Sequence, residues 1–106
     1  MTIAVSVVVP TFERPALLQR CLAALLGQQF EPSNYEVVVV DDGVSDETRR
    51  LVECWSERGK ARGVCVRYLA APHTRGPAAA RNIGWRAARG AIIAFTDDDC
   101  IPDANW

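Results

Sequence analysis

Residues 91–99 read AIIAFTDDD, an apolar run that ends in three consecutive carboxylates. Five apolar residues that include two β-branched isoleucines predict a buried strand, so the triplet lies at the end of a core element. Two like charges about 4 Å apart repel by roughly 1 kcal/mol in water and by about 4 kcal/mol at an effective dielectric constant near 20. A bound divalent cation would remove this repulsion, whereas the alternative is an ordinary acidic loop after a strand.

The spacing within the triplet suits a metal ion. Side chains alternate across an extended backbone, which would place Asp97 and Asp99 on one side of the chain and Asp98 on the other. Two oxygen ligands on one side are compatible with a hard divalent cation, and Asp98 would remain as a separate hydrogen-bond acceptor.

Length and composition bound the remaining possibilities. With 106 residues and 49% hydrophobic residues, the chain can build one small domain with one core. Twelve Lys and Arg residues against 13 Asp and Glu residues give a net charge of −1, which lacks the basic surface expected of a nucleic-acid binder. We therefore expect no nucleic-acid partner.

The chain shows no targeting or membrane-spanning signal. Its longest apolar runs are too short to cross a bilayer, and the amino terminus lacks a basic region followed by an apolar core. We therefore expect a cytoplasmic protein, which could lie at the cytoplasmic face of a membrane. The four cysteines contain no Cys-x-x-Cys pair, so we expect buried, reduced thiols rather than a zinc site or disulfides.

Strands and helices alternate along the sequence. Four strands are predicted at residues 5–9, 36–40, 64–69 and from 91 onward, with Pro10 ending the first. Three helices are predicted between them: one from Pro15 to Gly27, one that Ser45 or Asp46 caps and Gly59 and Gly63 close, and one from Pro77 to about Arg89.

This alternation predicts an α/β fold: a Rossmann-like, open parallel sheet with helices on both faces and strand order 3-2-1-4. The polar motifs then share one edge of the sheet. Pro10-Thr11-Phe12-Glu13 follows the first strand, Asp41-Asp42-Gly43 the second, and the aspartate triplet the fourth. Ligands bind such sheets outside the carboxyl ends of the strands, where the strand order reverses.

Three segments in this order resemble one known family. They are VSVVVPTFERP at 5–15, VVVVDDGVSDET at 37–48 and GPAAARNIGWRAARGAIIAFTDDDC at 76–100, and they are similar to the amino-terminal half of a family-2 glycosyltransferase of the GT-A fold. The resemblance implies inverting transfer of a sugar from a nucleoside-diphosphate donor, for which we expect a UDP-sugar, to an acceptor that the sequence does not identify (saccharide, lipid or other). It also implies Mn²⁺ or Mg²⁺ bound through two aspartates that flank one residue, the pattern of Asp97-Asp98-Asp99.

The resemblance also implies individual roles. Pro10, Thr11 and Phe12 would lie beside the nucleotide base, Glu13 would touch the base or the ribose, and Asp42 would accept a hydrogen bond from the base. Asp98 would bind the ribose hydroxyls, and Asp97 and Asp99 would hold the metal. Asp41 would support its own loop. Arg75, Gly76 and Arg81 lie around the start of the third predicted helix, where free N–H groups, the helix dipole and guanidinium groups favour phosphate, and Arg81 also matches the family.

Residues 1–106 are thus expected to form a nucleotide-sugar-binding domain that ends before the acceptor half. No catalytic residue is expected within 1–106, because the general base of such enzymes would lie downstream. A non-catalytic nucleotide-binding module is therefore the serious alternative. A dinucleotide-dependent oxidoreductase is disfavoured because G-x-G-x-x-G does not follow the first strand. A phosphoacceptor receiver domain would carry acids after its first and third strands and a lysine further along the chain. Here the acid pairs follow the second and fourth predicted strands, and the only lysine is Lys60, so this class is disfavoured as well.

Overall fold

A computed structural model of the chain describes residues 3–29, 31–71 and 77–103. Four strands alternate with three α-helices and one short 3₁₀ helix. In chain order the elements are β1 (Val5–Thr11), α1 (Pro15–Leu26), the 3₁₀ helix (Pro32–Asn34), β2 (Tyr35–Asp41), α2 (Asp46–Arg62), β3 (Cys65–Ala70), α3 (Pro77–Ala87) and β4 (Ile92–Phe95). None of the described helices is long and apolar enough to cross a membrane.

The four strands form one parallel sheet in the order β3-β2-β1-β4. This confirms the predicted α/β class and the predicted order 3-2-1-4. Val5 pairs with Tyr35 on one side and with Ile92 on the other, so β1, β2 and β4 begin level with one another. The chain order reverses between β1 and β4, which makes the carboxyl edge beside these strands the expected place for a ligand.

Helices α1 and α2 cover one face of the sheet. The buried apolar residues of α1 recur every third or fourth position and so form one stripe along the helix. This stripe packs on the strand residues that point to the same face of the sheet. The buried residues of α1 recur at the spacing of one helix face: Leu18, Cys21, Leu22, Leu25 and Leu26.

Helix α3 covers the opposite face, where it lies close to β1 and β2. Its small residues allow this approach, because a Cβ atom at Gly84 would overlap Cγ1 of Val8 and come within 3.0 Å of Cγ2 of Val40. Ala80 is buried in the same layer. The helices therefore lie on both faces of the sheet, as the sequence predicts.

Two predicted boundaries are wrong for identifiable reasons. Strand β1 does not stop at Pro10 but continues to Thr11, which pairs with Asp41. The ladder between β1 and β4 ends at Val8 and Phe95, so Pro10 lies beyond the last pair on that side. Gly59 does not close α2, because the helix continues to Arg62 and ends at Gly63 in the left-handed conformation.

Cysteine exposure also differs from the prediction. All four cysteines are free thiols, but Cys54 and Cys100 are exposed, and only Cys21 is fully buried. Cys54 belongs to α2, whose buried positions are Thr48, Val52 and Gly59. Val52 and Trp55 near it in the sequence are apolar, but its position on the helix is not on the face that meets the sheet.

A buried carboxylate fixes the amino ends of the strands. Glu36 of β2 is 0% exposed and accepts hydrogen bonds from the Ser6 hydroxyl (2.6 Å), the Arg89 backbone N–H (2.8 Å) and Nη1 of Arg67 (3.2 Å). Arg67 also donates to the backbone carbonyl of Ala87 at the end of α3. Burial by itself raises the pKa of Glu36, but these hydrogen bonds outweigh burial and hold the pKa below its ordinary range.

We predict that Glu36→Gln lowers the free energy of unfolding at pH 7 by about 3 kcal/mol, because it removes one partner of a buried ion pair. A depressed pKa in the folded state stabilises the fold above the ordinary pKa, and this stabilisation is lost as the pH falls through the folded pKa. The difference between the unmodified chain and Glu36→Gln should therefore shrink below about pH 4.5. Urea unfolding of both chains at several pH values measures this difference in the free energy of unfolding.

Glu57→Gln is the matched control, because Glu57 pairs with Lys60 on the exposed surface of α2. Its effect should stay within about 0.5 kcal/mol at every pH. A pH-independent difference for Glu36→Gln would contradict the assigned ionisation of Glu36.

Candidate functional site

An open cleft of about 300 Å³ lies at the carboxyl edge of the sheet. It gathers residues from the loops after β1, β2 and β4 and from the first turns of α3. The lining residues are Pro10, Thr11, Phe12, Arg14, Asp42, Ala80, Arg81, Asp97, Asp98 and Asp99. The sequence-predicted site residues thus line one cleft, with Glu13 outside its lining.

The aspartate triplet forms a turn, not a continuation of β4. The backbone N–H of Cys100 donates to the carbonyl of Asp97 at 3.1 Å, and β4 ends at Phe95. Asp98 is only 4% exposed, whereas Asp97 and Asp99 are exposed. Asp98 is thus separated from Asp97 and Asp99, as predicted. The cause is a turn in the backbone, not the alternation of side chains along an extended strand.

Both carboxylate oxygens of Asp98 have protein partners. The Thr11 hydroxyl at the end of β1 donates to Oδ2 at 2.8 Å, and Nη1 of Arg14 donates to Oδ1 at 3.3 Å. Arg14 was not among the residues that the sequence singles out. Its signal was weak, because one arginine before a helix is common, and only the fold brings it to a residue 84 positions away.

The two acids after β2 have different surroundings. Asp41 is buried and accepts hydrogen bonds from the backbone N–H groups of Gly43 (3.0 Å) and Ser45 (2.9 Å) and from the Tyr68 hydroxyl (2.7 Å). Burial and the Asp41 carboxylate both raise the pKa of Tyr68, so Tyr68 stays a donor. Asp42 lines the cleft, and its carboxylate has no hydrogen-bond partner among the described residues.

An aromatic side chain is displayed at the cleft. Phe12 is 54% exposed, and a Cβ atom at Gly43 would come within 3.3 Å of its ring, so glycine permits the close approach of the two loops. Glu13 has a left-handed backbone with φ of 51°. This turn in the chain lets Phe12 and Arg14 line the cleft, whereas Glu13 does not.

The cleft carries more negative than positive charge. Four carboxylates line it, from Asp42, Asp97, Asp98 and Asp99, against two guanidinium groups, from Arg14 and Arg81. Arg81, in the second turn of α3, has no hydrogen bond or ion pair to the described residues. Arg75 and Gly76, which the sequence analysis places near phosphate, lie outside the described residues.

The residues of the triplet fit a divalent metal ion. Ligand atoms of Asp97, Asp99 and Cys100 lie within 4.8 Å of one another, and all three residues are exposed. The two carboxylates are the oxygen ligands that Mg²⁺ and Mn²⁺ prefer. Cys100 is an addition that the sequence reasoning did not include, because it considered the cysteines as packing residues.

Cys21 of α1 lies under the turn. Its thiol contacts the carbonyl oxygen of Asp97 at 3.6 Å, and burial, with smaller contributions from Cys100 and the neighbouring aspartates, raises the pKa of this thiol to about 12. Cys21 therefore stays protonated and serves as a packing residue that also donates a weak hydrogen bond to the turn.

The profile of glycosyl transferase family 2 matches residues 6–106 of this chain. The match covers all three loops that line the cleft. The chain belongs to this family.

Curated relatives carry glycosyltransferase names. The chain is 36% identical over 102 residues to the glycosyltransferase AglE of Haloferax volcanii, covering 96% of this chain and 32% of that protein. It is 41% identical over 101 residues to validoxylamine A glucosyltransferase of Streptomyces hygroscopicus subsp. limoneus, covering 95% and 21%. The chain thus spans a third or less of the length of these relatives.

Solved structures of other proteins show the same fold. The mannosyltransferase PcManGT of Pyrobaculum calidifontis, in complex with GDP-Man and Mn²⁺, matches with a TM-score of 0.84 and 30% identity, over 98% of this chain and 30% of that one. TarS residues 1–349 of S. aureus in complex with UDP matches with a TM-score of 0.84 and 28% identity, over 97% and 29%. The family-2 chain therefore has the GT-A architecture that the sequence motifs imply.

The loop after β2 yields a prediction about strain. Val44 is a β-branched residue with φ of 49°, a conformation that asparagine adopts at lower cost. We predict that Val44→Asn raises the free energy of unfolding by about 1 kcal/mol, measured by urea unfolding. The control is Gln28→Asn, an exchange outside this loop; it should not stabilise the chain, because it shortens a side chain whose Nε2 donates to the carbonyls of Ala24 and Asp103. Lower stability of Val44→Asn would contradict the strain.

Proposed function

We propose that this domain binds a nucleoside-diphosphate sugar in the cleft and serves inverting, metal-assisted transfer of the sugar to an acceptor. The observation that carries the proposal is the pair of Asp97 and Asp99, which is exposed and accepts no hydrogen bond from a cation among the described residues, in a cleft that also displays Phe12 and Asp42. Membership of family 2, and relatives in complex with GDP-Man and Mn²⁺ or with UDP, support it.

The loops after β1 and β2 supply the proposed base site. Phe12 offers an aromatic face, and the Asp42 carboxylate can accept a hydrogen bond from a ring N–H group. Pro10 and Thr11 form the floor of the same part of the cleft as the last residues of β1. A uracil or another base with an N–H group at its edge fits these two contacts, and we favour a UDP-sugar.

The turn after β4 supplies the proposed ribose and metal sites. Asp98 accepts hydrogen bonds, which suits ribose hydroxyls, and Asp97 and Asp99 would hold Mn²⁺ or Mg²⁺. The ion, when bound, neutralises negative charge that develops on the leaving diphosphate. Arg81 at the cleft wall supplies a guanidinium group without a protein partner among the described residues, which suits phosphate.

These assignments leave no described carboxylate of the cleft for the general base. Inverting displacement needs a base that takes the proton of the acceptor hydroxyl, opposite the leaving diphosphate. We therefore propose that residues 1–106 are a nucleotide-sugar-binding domain and that the base and the acceptor site belong to other parts of the protein. A non-catalytic nucleotide-binding module is the alternative that the same observation favours. A cytoplasmic location stays a prediction.

The metal assignment gives a direct prediction. Mn²⁺ should bind more tightly when a nucleoside diphosphate is present, and Asp99→Ala should remove most of this coupling because it takes away one of two carboxylate ligands. Titration calorimetry with Mn²⁺, with and without UDP or GDP, measures the coupling without any transfer reaction.

Asp103→Ala is the matched control, since it removes the same charge four residues further along the chain at an exposed position. It should leave the coupling intact. An unchanged affinity for Mn²⁺ in Asp99→Ala would reject the metal site.

The base site gives a second prediction. Phe12→Ala and Asp42→Ala should each weaken binding of the nucleoside diphosphate by about 1 to 3 kcal/mol, because one loses the ring face and the other loses a hydrogen bond. Titration calorimetry on the folded variants measures both losses.

Phe95→Ala serves as the control for Phe12→Ala, because Phe95 is also a half-exposed phenylalanine but does not line the cleft. Its affinity should match that of the unmodified chain. Equal losses in Phe95→Ala and Phe12→Ala would point to a general loss of packing and reject the base site.

A further inference from the structure

Arg14 is a cleft residue to which the proposed function gives no task. Its side chain is 53% exposed, and among the described residues its guanidinium group makes a single hydrogen bond, from Nη1 to Oδ1 of Asp98 at 3.3 Å. A guanidinium group has five N–H donors in a planar fork. Most of the donor capacity of Arg14 is therefore open to the cleft and the solvent.

We infer that Arg14 binds the diphosphate of the donor while Asp98 holds its guanidinium group in place. The inference rests on the proposed function and names a further ligand-binding residue at the same site. A guanidinium fork matches the oxygen atoms of a phosphate group, and it can donate to phosphate without giving up its one bond to Asp98. Asp98 is suited to this support because it is buried and its other oxygen is fixed by Thr11.

The charge of the cleft favours such a cation. Four carboxylates face two arginines there, so without Arg14 the cleft would keep a net negative charge even with one divalent ion bound, and Arg14 brings the sum to zero. Arg14 adds positive charge on the β1 side of the cleft, and Arg81 adds it on the α3 side. Helix α1 begins directly after Arg14 without a side-chain cap or an acid in its first turn, so the positive end of its dipole is not neutralised locally.

The backbone fixes the position of Arg14. Glu13 before it has φ of 51°, and Pro15 after it is the first residue of α1. A left-handed residue and a proline together restrict the conformations of the short loop. Arg14 is thus placed at the cleft before any ligand arrives, which lowers the ordering cost of a phosphate contact.

The competing explanation is that Arg14 only neutralises buried Asp98. The two explanations differ in which part of the ligand loses a contact when Arg14 is replaced. A counterion for Asp98 would affect the ribose contact, and therefore UDP and uridine alike. A phosphate ligand would affect UDP but not uridine, which lacks the diphosphate.

The experiment compares the affinities of UDP and uridine, and of GDP and guanosine, by titration calorimetry with Mn²⁺ present. Arg14→Ala and Arg14→Gln should weaken binding of the nucleoside diphosphate about ten- to hundredfold and leave the nucleoside within about twofold. Arg14→Lys should retain part of the affinity, because it keeps the charge but not the fork. Arg20→Ala, an exposed arginine of α1, is the control and should bind like the unmodified chain.

Equal weakening of diphosphate and nucleoside would overturn the phosphate role and leave Arg14 as a counterion of Asp98. An unchanged diphosphate affinity in Arg14→Ala or Arg14→Gln would overturn it as well. If Arg14→Ala does not fold, as judged by circular dichroism, Arg14→Gln decides. Failure of the unmodified chain to bind either nucleoside diphosphate would overturn the proposed function, and the inference with it.

Discussion

The parallel pairing of β1 with both β2 and β4 is the constraint on which the site depends. Parallel strands that begin level bring their carboxyl ends to the same edge, and the three loops that follow them then meet. Two backbone hydrogen bonds extend the ladders into the loops: Asp42 donates to Thr11 and Thr96 donates to Val8. Main-chain bonds therefore set the distance between the aspartate triplet and the base-side loops, and the side-chain hydrogen bonds from Thr11 and Arg14 to Asp98 add to them.

The carboxylates divide into two groups by their surroundings. Glu36, Asp41 and Asp98 are buried, and each accepts at least two hydrogen bonds from the chain. Asp42 and Asp97 lack a side-chain hydrogen bond to the described residues and line the cleft. Burial of an unpaired charge costs several kcal/mol, so only the acids with partners can serve the fold. Asp42 and Asp97 therefore keep both carboxylate oxygens available to a ligand, whereas Asp98 can offer only the acceptor capacity that Thr11 and Arg14 leave.

The strand order and the helix faces could be predicted because they follow from periodicity and from short right-handed connections. The stripe from Leu18 to Leu26 and the small residues around Gly84 are visible in the sequence alone. The partners of buried polar groups could not be predicted. In the sequence, Glu36 is part of an otherwise apolar predicted strand. The groups that donate hydrogen bonds to its carboxylate belong to β1, β3 and the segment after α3. Only tertiary structure decides such contacts.

The same reason explains why Arg14 was missed while Asp98 was expected. An aspartate in a triplet after a strand is a local pattern, whereas an arginine becomes notable only through the residue it meets. Each oxygen of Asp98 can accept a second hydrogen bond, so the bonds from Thr11 and Arg14 do not exclude a ribose hydroxyl. They instead fix the carboxylate before a ligand arrives. Because Thr11 of β1 and Arg14 before α1 already hold the Asp98 carboxylate, ligand binding loses little conformational entropy of this side chain. A site built between strand ends has this advantage.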